Sequence, residues 1–419
     1  MLGPGWTTGA ADDDPSGIAT YSQAGAQYGN QLLWLASFTF PLMAVVQEMC
    51  ARIGLVTGRG LAANIRAHYP RWVLYLCTAL LAIANTLNIG ADLGAMAKAT
   101  QLVVPAAGFT LVILSFALLS LMLQIFISYQ RYARYLKYLA LILLSYVLTA
   151  FAIENFDWRQ ALTHAVAPSL TFSREQIILV AGILGTTISP YLFFWQTSQE
   201  VEEEILHGKT TVAARRHEIH DHEIKTMRID IWSGMFLSNV VMFFIIAVGA
   251  ATLFASGTTT IATAADAAAA LRPLAGENAY LLFALGIIGT GLLAIPVLAG
   301  SVSYALSESL GWQYGLYRKL KQAYAFYGVM ILAILIGLAI NFLGIDPIKA
   351  LIWSAVGNGL IAPVILVLIV QLSNNKKVMG NWTNGPITNA LGWLITLLMV
   401  LSGAAALIVL VSSVSSALF

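Results

Sequence analysis

The hydrophobic positions of this chain lie in long continuous blocks that short polar segments separate. A block of about 20 mostly apolar residues has the length that an α-helix needs to cross a bilayer. The pattern therefore predicts an all-α integral membrane protein with eleven transmembrane helices, at about residues 4–28, 31–55, 71–100, 105–128, 132–153, 174–199, 229–255, 277–308, 323–344, 348–372 and 386–416. An odd number of spans places the two termini on opposite sides of the membrane.

Two of these blocks contain residues that interrupt a helix. The first span carries Asp14, Pro15, Ser16 and Gly17 near its middle, and the sixth carries a proline inside the segment Thr186–Tyr191. A proline removes a backbone donor and disfavours a helical residue before it, and a glycine loosens the helix that follows. We therefore predict that spans one and six are both broken.

The positions of the breaks indicate an internal repeat. Spans one and six each begin a block of five spans, and because five is odd the second block must run with inverted topology. We predict a single transmembrane transporter domain over residues 1–419, with inverted repeats at about 1–153 and 174–372 and an extra helix at about 386–416. Broken helices at matching places in inverted halves are typical of a transporter's binding site near the middle of the membrane.

The composition and the placement of charge support this interpretation. Only 10% of the 419 residues are charged and 58% are hydrophobic, whereas soluble domains have roughly 25% charged residues. The net charge of +2 gives no indication of a nucleic-acid partner. Most of the 22 Lys and Arg residues lie in the loops after spans two, four, six, eight and ten. The positive-inside rule then predicts a multi-pass plasma-membrane protein with a cytoplasmic N-terminus and an extracellular C-terminus.

The carboxylates of the first break are the strongest functional signal. A carboxylate at the centre of a bilayer costs about 3 kcal/mol even on permissive scales, so these groups must face water, a partner or a cation. Asp14 is expected to bind a cation, and its alternative role is to cap the helix that follows. Successive helical positions point about 100° apart, so at most one of Asp12 and Asp13 shares the face of Asp14. Lining a hydrated vestibule and lying in a polar helix interface are equally open roles for these two residues.

The sixth span offers only neutral oxygen donors at its break. Thr186, Thr187 and Ser189 contribute hydroxyl groups, and the broken helix frees backbone carbonyls. The break contains no Met, Cys or His, which favours Mg²⁺, Ca²⁺ or Mn²⁺ over Fe, Zn or Cu. Mg²⁺ keeps much of its water and typically takes one or two carboxylates. A single firm carboxylate among hydroxyl groups and water therefore suits Mg²⁺.

Several segments of the chain resemble the Nramp divalent-metal transporters. The similarity lies in spans one, two, three, five and ten, in the segments "LGPGWTTGAADDDPSGIATYSQAGAQYG", "LLWLASFTFPLMAVVQEMCARIGLVTGRGL", "IGADLGAMAKATQL", "RYARYLKYLALIL" and "VQLSNNKKVMGNWTN". The resemblance implies a LeuT-type 5+5 inverted-repeat fold, with a divalent metal ion held between broken helices 1 and 6. The family's binding Asp falls on Asp14, and the Ala that lends its carbonyl falls on Thr186.

The departures from the family pattern are specific. The family's Asn falls on Gly17, and its Met-Pro-His falls on Ser189-Pro190-Tyr191. In span three one acid remains as Asp92, while the second falls on Ala95. This pattern resembles the Nramp-related magnesium transporters, a branch described as moving Mg²⁺ and Mn²⁺ without clear proton coupling. The loss of side-chain volume at Gly17 and Ser189 also favours a wider cavity and a partly hydrated ion.

These observations together predict a secondary transporter that moves Mg²⁺, and Mn²⁺ with it, by alternating access and without proton coupling. It is expected to be neither an enzyme nor a cofactor-binding protein, to have divalent metal ions and the lipid bilayer as partners, and to work as a monomer. The predicted metal site comprises Asp14, Gly17, Thr186, Ser189, Asp13 and Tyr191. The alternatives are a proton-coupled Mn²⁺/Fe²⁺ transporter of the Nramp type and, less favoured because of Asp14, a sodium-coupled amino-acid symporter.

Three further groups of residues have two open roles each. Asp92 is either a remnant proton relay or a residue of helix packing. Glu200 and Glu202–Glu204 form either a solvated end of span six or an acidic vestibule. Gln47 and Asn358 are either polar contacts between helices or residues near the ion. All six histidines fall in predicted loops, which leaves no imidazole inside the bundle to carry protons.

Overall fold

The apolar blocks fold as helices in the computed structural model, which describes residues 3–127, 141–154, 156–216 and 219–418. No strand occurs within those ranges. The α-helices in chain order are α1 (Pro4–Asp12), α2 (Pro15–Tyr28), α3 (Trp34–Thr57), α4 (Leu61–His68), α5 (Arg71–Val103), α6 (Phe109–Phe126), α7 (Leu144–Ala152), α8 (Trp158–Val166), α9 (Arg174–Thr187), α10 (Pro190–Leu206), α11 (Val212–Arg216), α12 (Asp221–Gly249), α13 (Ala264–Ala269), α14 (Arg272–Ala275), α15 (Ala279–Leu310), α16 (Tyr324–Ile340), α17 (Pro347–Asn374), α18 (Lys376–Met379) and α19 (Pro386–Leu418).

Nine helical segments of the described chain are long and apolar enough to cross a membrane. The first predicted span is not among them because its three consecutive aspartates, Asp12, Asp13 and Asp14, leave no sufficiently apolar stretch of that length. The predicted fifth span, 132–153, begins in residues 128–140, which lie outside the described part of the chain together with the basic residues Arg131, Arg134 and Lys137. Its described part is the short apolar segment Leu141–Ala152. The prediction of an all-helical protein with many membrane spans is confirmed.

Both predicted breaks are present, and each lies just before its proline. Asp13 and Asp14 separate α1 from α2, and Ile188 and Ser189 separate α9 from α10. Pro15 and Pro190 each occupy the first turn of the second half-helix. Proline is well suited to that position because the first residues of a helix have no intrahelical acceptor for an N–H group. Ser16 and Gly17 are therefore helical, and the gap in span one is shorter than the sequence indicated.

The halves of span one pack against different neighbours. Helix α1 lies mainly against α12, whereas α2 lies against α12, α17 and α9. Helix α5 packs along both α15 and α17. Close approach of α9 to α17 requires glycine, because a Cβ atom on Gly185 would run into the backbone carbonyl of Ala355. This packing brings the break of span six next to the break of span one.

The sixth span is longer than predicted, and its acidic end is buried. Helix α10 continues to Leu206, and Glu200, Glu202 and Glu204 are all shielded from solvent. The interpretation of these residues as a solvated helix end is therefore wrong for those three. Glu202 accepts hydrogen bonds from the hydroxyl of Tyr304 at 2.6 Å and from the backbone N–H of Leu316 at 2.8 Å. Glu202 thus fastens the segment that follows α15 to the end of α10.

Candidate metal site

Asp14 lies at the start of α2 and caps it. One carboxylate oxygen, Oδ1, accepts hydrogen bonds from the backbone N–H of Gly17 at 2.8 Å and from the hydroxyl of Ser16 at 2.6 Å. The other oxygen, Oδ2, accepts from the side-chain amide of Asn88 at 3.0 Å. The capping role that the sequence left as an alternative is thus observed. A carboxylate has about four acceptor positions, so capping leaves room for a cation on the same group.

The break of span six forms the opposite wall. The hydroxyl oxygens of Ser16 and Thr186 lie 3.2 Å apart, and the hydroxyl groups of Tyr21 and Thr187 lie within 2.9 Å. A Cβ atom added to Gly17 would lie 3.4 Å from Thr186 Oγ1. The structure therefore brings together three of the predicted site residues, Asp14, Gly17 and Thr186. Glycine at position 17 keeps the space between the two breaks free of a side chain.

Two predicted residues use their hydroxyl groups on the backbone of the breaks. The Ser189 hydroxyl lies 2.7 Å from the carbonyl oxygens of both Gly185 and Thr186. The Tyr191 hydroxyl donates to the carbonyl of Ala11 at 3.1 Å. The hydroxyl groups of Ser189 and Tyr191 therefore donate hydrogen bonds to carbonyl oxygens near the ends of α9 and α1. The last carbonyl groups of a helix have no intrahelical donor.

Asp12 and Asp13 turn away from Asp14 toward α12. Ser238 Oγ lies 2.6 Å from Asp12 Oδ2 and 3.2 Å from Asp13 Oδ1. Both acids are buried, with relative exposures of 0% for Asp12 and 4% for Asp13. Of the two roles that the sequence left open, the polar helix interface agrees with this arrangement. The predicted site residue Asp13 lies in a separate cluster with Asp12 and Ser238, which we call the Ser238 cluster.

Sequence reasoning missed Asn88, a central residue of the site. The Asn88 amide nitrogen donates to Asp14 Oδ2 and, at 3.1 Å, to Asp92 Oδ2. The amide of Asn358 approaches Asn88 Oδ1 at 3.4 Å, so Asn358 lies near the site. Asn88 lies four residues before Asp92, a spacing that places both side chains on one helix face. That spacing was the available signal. Asp92, for which the sequence indicated no partner, is linked through Asn88 to Asp14.

The side chains around Asp14 offer oxygen atoms as metal ligands. Within the described residues, no group of three or more His, Cys, Asp and Glu side chains converges as a metal site would require. The described histidines lie outside the breaks, and His217 lies outside the described residues. One thioether escaped the sequence analysis because it belongs to another helix: Met242 Sδ lies 3.9 Å from Thr187 Oγ1. Met242 makes no described contact with Asp14.

The site is closed to solvent, and the N-terminal half of span one is held in place. Asp14 and Thr186 each have a relative exposure of 1%. The carboxylate of Asp230 on α12 accepts from the backbone N–H groups of Gly3 at 2.8 Å and Gly5 at 2.6 Å. Anionic groups are favourable at a helix N-terminus, where N–H groups and the positive end of the helix dipole point outward. Asp230 therefore anchors α1 against α12.

The remaining polar positions have structural roles in the described chain. Glu48 pairs with Arg228 at 2.8 Å. Glu308 accepts from the backbone N–H of Ala63 at 2.9 Å in the first turn of α4. Cys50 and Cys77 have free thiols and are buried in the core.

Broken helices that pack side by side, with a buried carboxylate and neutral oxygens between them, define a membrane transporter of the LeuT fold. Residues 5–409 match the sequence profile of the family described as "Natural resistance-associated macrophage protein-like". The chain belongs to this family, the Nramp family, whose members transport divalent metal cations. The resemblance noted in the sequence is thereby confirmed at the level of the family.

The sequences of relatives agree with this assignment, and solved structures agree with the fold. The chain is 28% identical over 411 residues to the divalent metal cation transporter MntH of Aeromonas hydrophila, covering 96% of this chain and 93% of that protein. The MntH protein of Klebsiella pneumoniae is likewise 28% identical over 411 residues, with 96% of this chain and 92% of that protein covered. The fold is similar to that of the Eremococcus coleocola manganese transporter, with a TM-score of 0.72, 20% identity and coverage of 96% and 85%. It also resembles the inward-facing form of Mhp1, with a TM-score of 0.56, 13% identity and coverage of 98% and 92%.

The contacts of Asn88 lead to a first prediction. The Asn88→Ala substitution removes a hydrogen bond to the Asp14 carboxylate, and hydrogen bonds to charged groups contribute about 1.5–3 kcal/mol. We expect the Mn²⁺ concentration for half-maximal uptake into proteoliposomes to rise about tenfold, since tenfold corresponds to about 1.4 kcal/mol. Asn85→Ala is the control, because the Asn85 amide binds Leu298 O and Ser301 Oγ instead. An unchanged half-maximal concentration in Asn88→Ala would contradict this role.

Proposed function

We propose that this protein transports Mn²⁺ and Mg²⁺ through the plasma membrane by alternating access, with Asp14 as the principal ligand. Membership of the Nramp family supports divalent metal cations as the transported substrate. The observation that carries the proposal is the buried Asp14 carboxylate, which accepts a hydrogen bond from the Ser16 hydroxyl, while that hydroxyl lies 3.2 Å from the Thr186 hydroxyl of the other break. The Ser189 hydroxyl lies within hydrogen-bond distance of the Thr186 carbonyl oxygen. If the Ser189 side chain rotates away, this carbonyl oxygen becomes a further ligand for the ion.

The two ions have different kinds of support. The name of the similar solved structure, a manganese transporter, supports manganese as a substrate, and the names of the relatives support divalent metal cations in general. Magnesium is supported by ligand chemistry, because the Asp14 carboxylate and the nearby hydroxyl groups of Ser16 and Thr186 offer oxygen ligands, which Mg²⁺ prefers. It is also supported by the glycine at position 17, which adds no side-chain volume beside the Thr186 hydroxyl. Mg²⁺ gives up its water reluctantly, so a site for it benefits from small side chains.

We further propose that transport is uncoupled from protons and driven by the ion gradient and the membrane potential. The potential contributes about 4.6 kcal/mol per 100 mV for a divalent ion, twice the value of about 2.3 for one charge. Tyr191 occupies the family's histidine position, and its hydroxyl is used on the Ala11 carbonyl. The positive-inside pattern supports a cytoplasmic N-terminus. We expect a functional monomer, since the site lies between helices of one chain.

Proton-coupled Mn²⁺ transport is the second candidate, and one observation favours it. Asp92 is buried, its Oδ2 shares the Asn88 amide with Asp14, and its Oδ1 has no hydrogen-bond partner in the described part of the chain. A buried carboxyl group beside the ligand is a place where a proton can be held while the ion is absent. The names of the relatives, which are manganese and divalent metal transporters, agree with this candidate.

Asp14→Asn tests the principal ligand. Asparagine is as good a helix cap as aspartate, so the substitution retains the cap on α2 and removes only the charge. We expect uptake of both Mn²⁺ and Mg²⁺ into proteoliposomes to fall to background, with thermal unfolding of the purified protein unchanged. Asp157→Asn is the matched control, because Asp157 caps α8 in the same way by accepting from the backbone N–H of Gln160 at 2.9 Å. Uptake at the parent rate by Asp14→Asn would remove Asp14 from the site.

The double variant Gly17→Asn/Ser189→Met tests selectivity. An asparagine at position 17 projects toward Thr186 and fills the space left by glycine, while methionine adds a soft thioether at the break. We expect competition assays to show at least a tenfold gain of Cd²⁺ over Mg²⁺. Ser189→Ala is the control, since it removes the hydroxyl without adding a soft ligand and should keep the parent's order of ions. The same order in the double variant would place selectivity elsewhere.

A pH-sensitive dye inside the proteoliposomes tests coupling. If transport is uncoupled from protons, Mn²⁺ entry driven by a membrane potential that is negative inside leaves the internal pH unchanged. The rate of Mn²⁺ entry then increases with the size of the potential. Acidification in a fixed ratio to the metal moved, and its loss in Asp92→Asn, would establish the second candidate instead. Protein-free liposomes with an ionophore for Mn²⁺ provide the control for passive pH changes.

A further inference from the structure

The Ser238 cluster joins two carboxylates that have no ionic partner in the described chain. Asp12 and Asp13 are buried, and no described Lys, Arg or His forms an ion pair with either of them. Buried carboxylates that remain charged require a compensating positive group or a cation. Within the described residues, the cluster therefore has no cationic partner, and either a proton or a bound cation must compensate its charge.

The hydroxyl of Ser238 cannot satisfy both acids by itself. A serine hydroxyl carries one hydrogen, yet Ser238 Oγ lies within 2.6 Å of Asp12 Oδ2 and 3.2 Å of Asp13 Oδ1. It can donate fully to only one of the two. The second oxygen of the Asp12 carboxylate, Oδ1, is buried and has no hydrogen-bond partner among the described residues. The cluster therefore has more acceptor oxygens than hydrogens to satisfy them, and a cation is one way to satisfy the remaining oxygens.

The end of α1 adds to the negative potential. Helix α1 ends at Asp12, so the Ser238 cluster lies at the negative end of the helix dipole, where cations are favourable. The last carbonyl groups of a helix have no intrahelical donor. One of them, the Ala11 carbonyl, accepts from Tyr191. Hydroxyl and carboxylate oxygens at a helix C-terminus form a donor set that suits a hard divalent cation.

The Ser238 cluster also begins a line of buried polar groups along α1 and α10. Thr8, one turn before Asp12 on α1, has its hydroxyl 2.5 Å from Gln196 Oε1. The Gln196 amide donates to Glu200 Oε1 at 2.8 Å, and Glu200 is buried. Because α1 is the N-terminal half of span one, this line leads from the breaks toward the side of the membrane on which the chain begins.

We propose that Asp12, Asp13 and Ser238 form a second binding position for the transported divalent cation, which the ion occupies after leaving Asp14. The inference rests on the proposed function, because the cation is the one that Asp14 binds. The second position lies between Asp14 and the line of buried polar groups formed by Thr8, Gln196 and Glu200. Rotation of the Ser238 hydroxyl, which directs its hydrogen away from both carboxylates, is the local change that admits the ion.

The test measures binding and transport of Mn²⁺ separately. Binding to the purified full-length protein is followed by the loss of the electron paramagnetic resonance signal of free Mn²⁺, and transport by Mn²⁺ uptake into proteoliposomes. In Asp14→Asn we expect Mn²⁺ binding that persists, while uptake is lost. Adding Asp12→Asn and Asp13→Asn to Asp14→Asn should weaken that remaining binding at least tenfold. In Asp12→Asn/Asp13→Asn with Asp14 intact, we expect Mn²⁺ binding to persist and uptake to fall at least tenfold.

Controls separate the cation position from a structural role. Ser238→Ala retains both carboxylates and should weaken the remaining binding in the Asp14→Asn background. Ser120→Ala, a buried serine on α6, should leave binding and uptake at the parent values. Thermal unfolding measured for each variant shows whether it folds, and the single variant Asp12→Asn replaces the double variant if that one does not.

The outcomes distinguish this inference from the proposed function. Equal Mn²⁺ binding by Asp14→Asn and by the triple variant would overturn the second position and leave the two carboxylates sharing a proton. Uptake at the parent rate by Asp12→Asn/Asp13→Asn would overturn it as well. In both cases, Mn²⁺ uptake by the parent protein and its loss in Asp14→Asn would still support the proposed function. A parent protein that neither binds nor moves Mn²⁺ would refute the proposed function and this inference with it.

Discussion

The structure depends on the requirement that backbone polar groups in a membrane find partners within the protein. A continuous helix meets that requirement by itself, but the breaks before Pro15 and Pro190 free N–H and carbonyl groups at the depth of the bilayer. Asp14 supplies acceptors to α2, Ser189 covers the carbonyls at the end of α9, and Tyr191 covers one at the end of α1. The groups that satisfy the breaks are therefore the same groups that the sequence assigns to the metal.

This double use connects stability with transport. The carboxylate and carbonyl oxygens at the breaks accept hydrogen bonds through the same lone pairs that bind a cation. A hydrogen bond at a break can therefore be replaced by a bond to a cation. Closed breaks with satisfied groups keep the site at about 1% exposure for Asp14 and Thr186. Under the proposed function, an ion that binds at the breaks takes the place of these hydrogen bonds.

The surroundings of the breaks divide the carboxylates between two clusters. Asn88 and Asp92 on α5 face Asp14, whereas Ser238 on α12 faces Asp12 and Asp13. Because the residues of the gap are not helical, three consecutive acids need not follow the rotation of 100° per residue that a helix imposes. Asp230, also on α12, fixes the other end of α1. Helix α12 thus contacts both ends of the half-helix whose position closes the site.

The sequence by itself determined the membrane-spanning helices, the two breaks and the Nramp family, and it singled out Asp14 at the first break. Hydropathy and proline act through neighbours along the chain, so a single sequence contains that information. Only the tertiary structure decided that Asn88 links Asp14 to Asp92, that Ser238 gathers Asp12 and Asp13, and that Glu200, Glu202 and Glu204 are buried. Those contacts join residues on different helices, and their partners follow from how the helices pack, which no local pattern in the chain specifies.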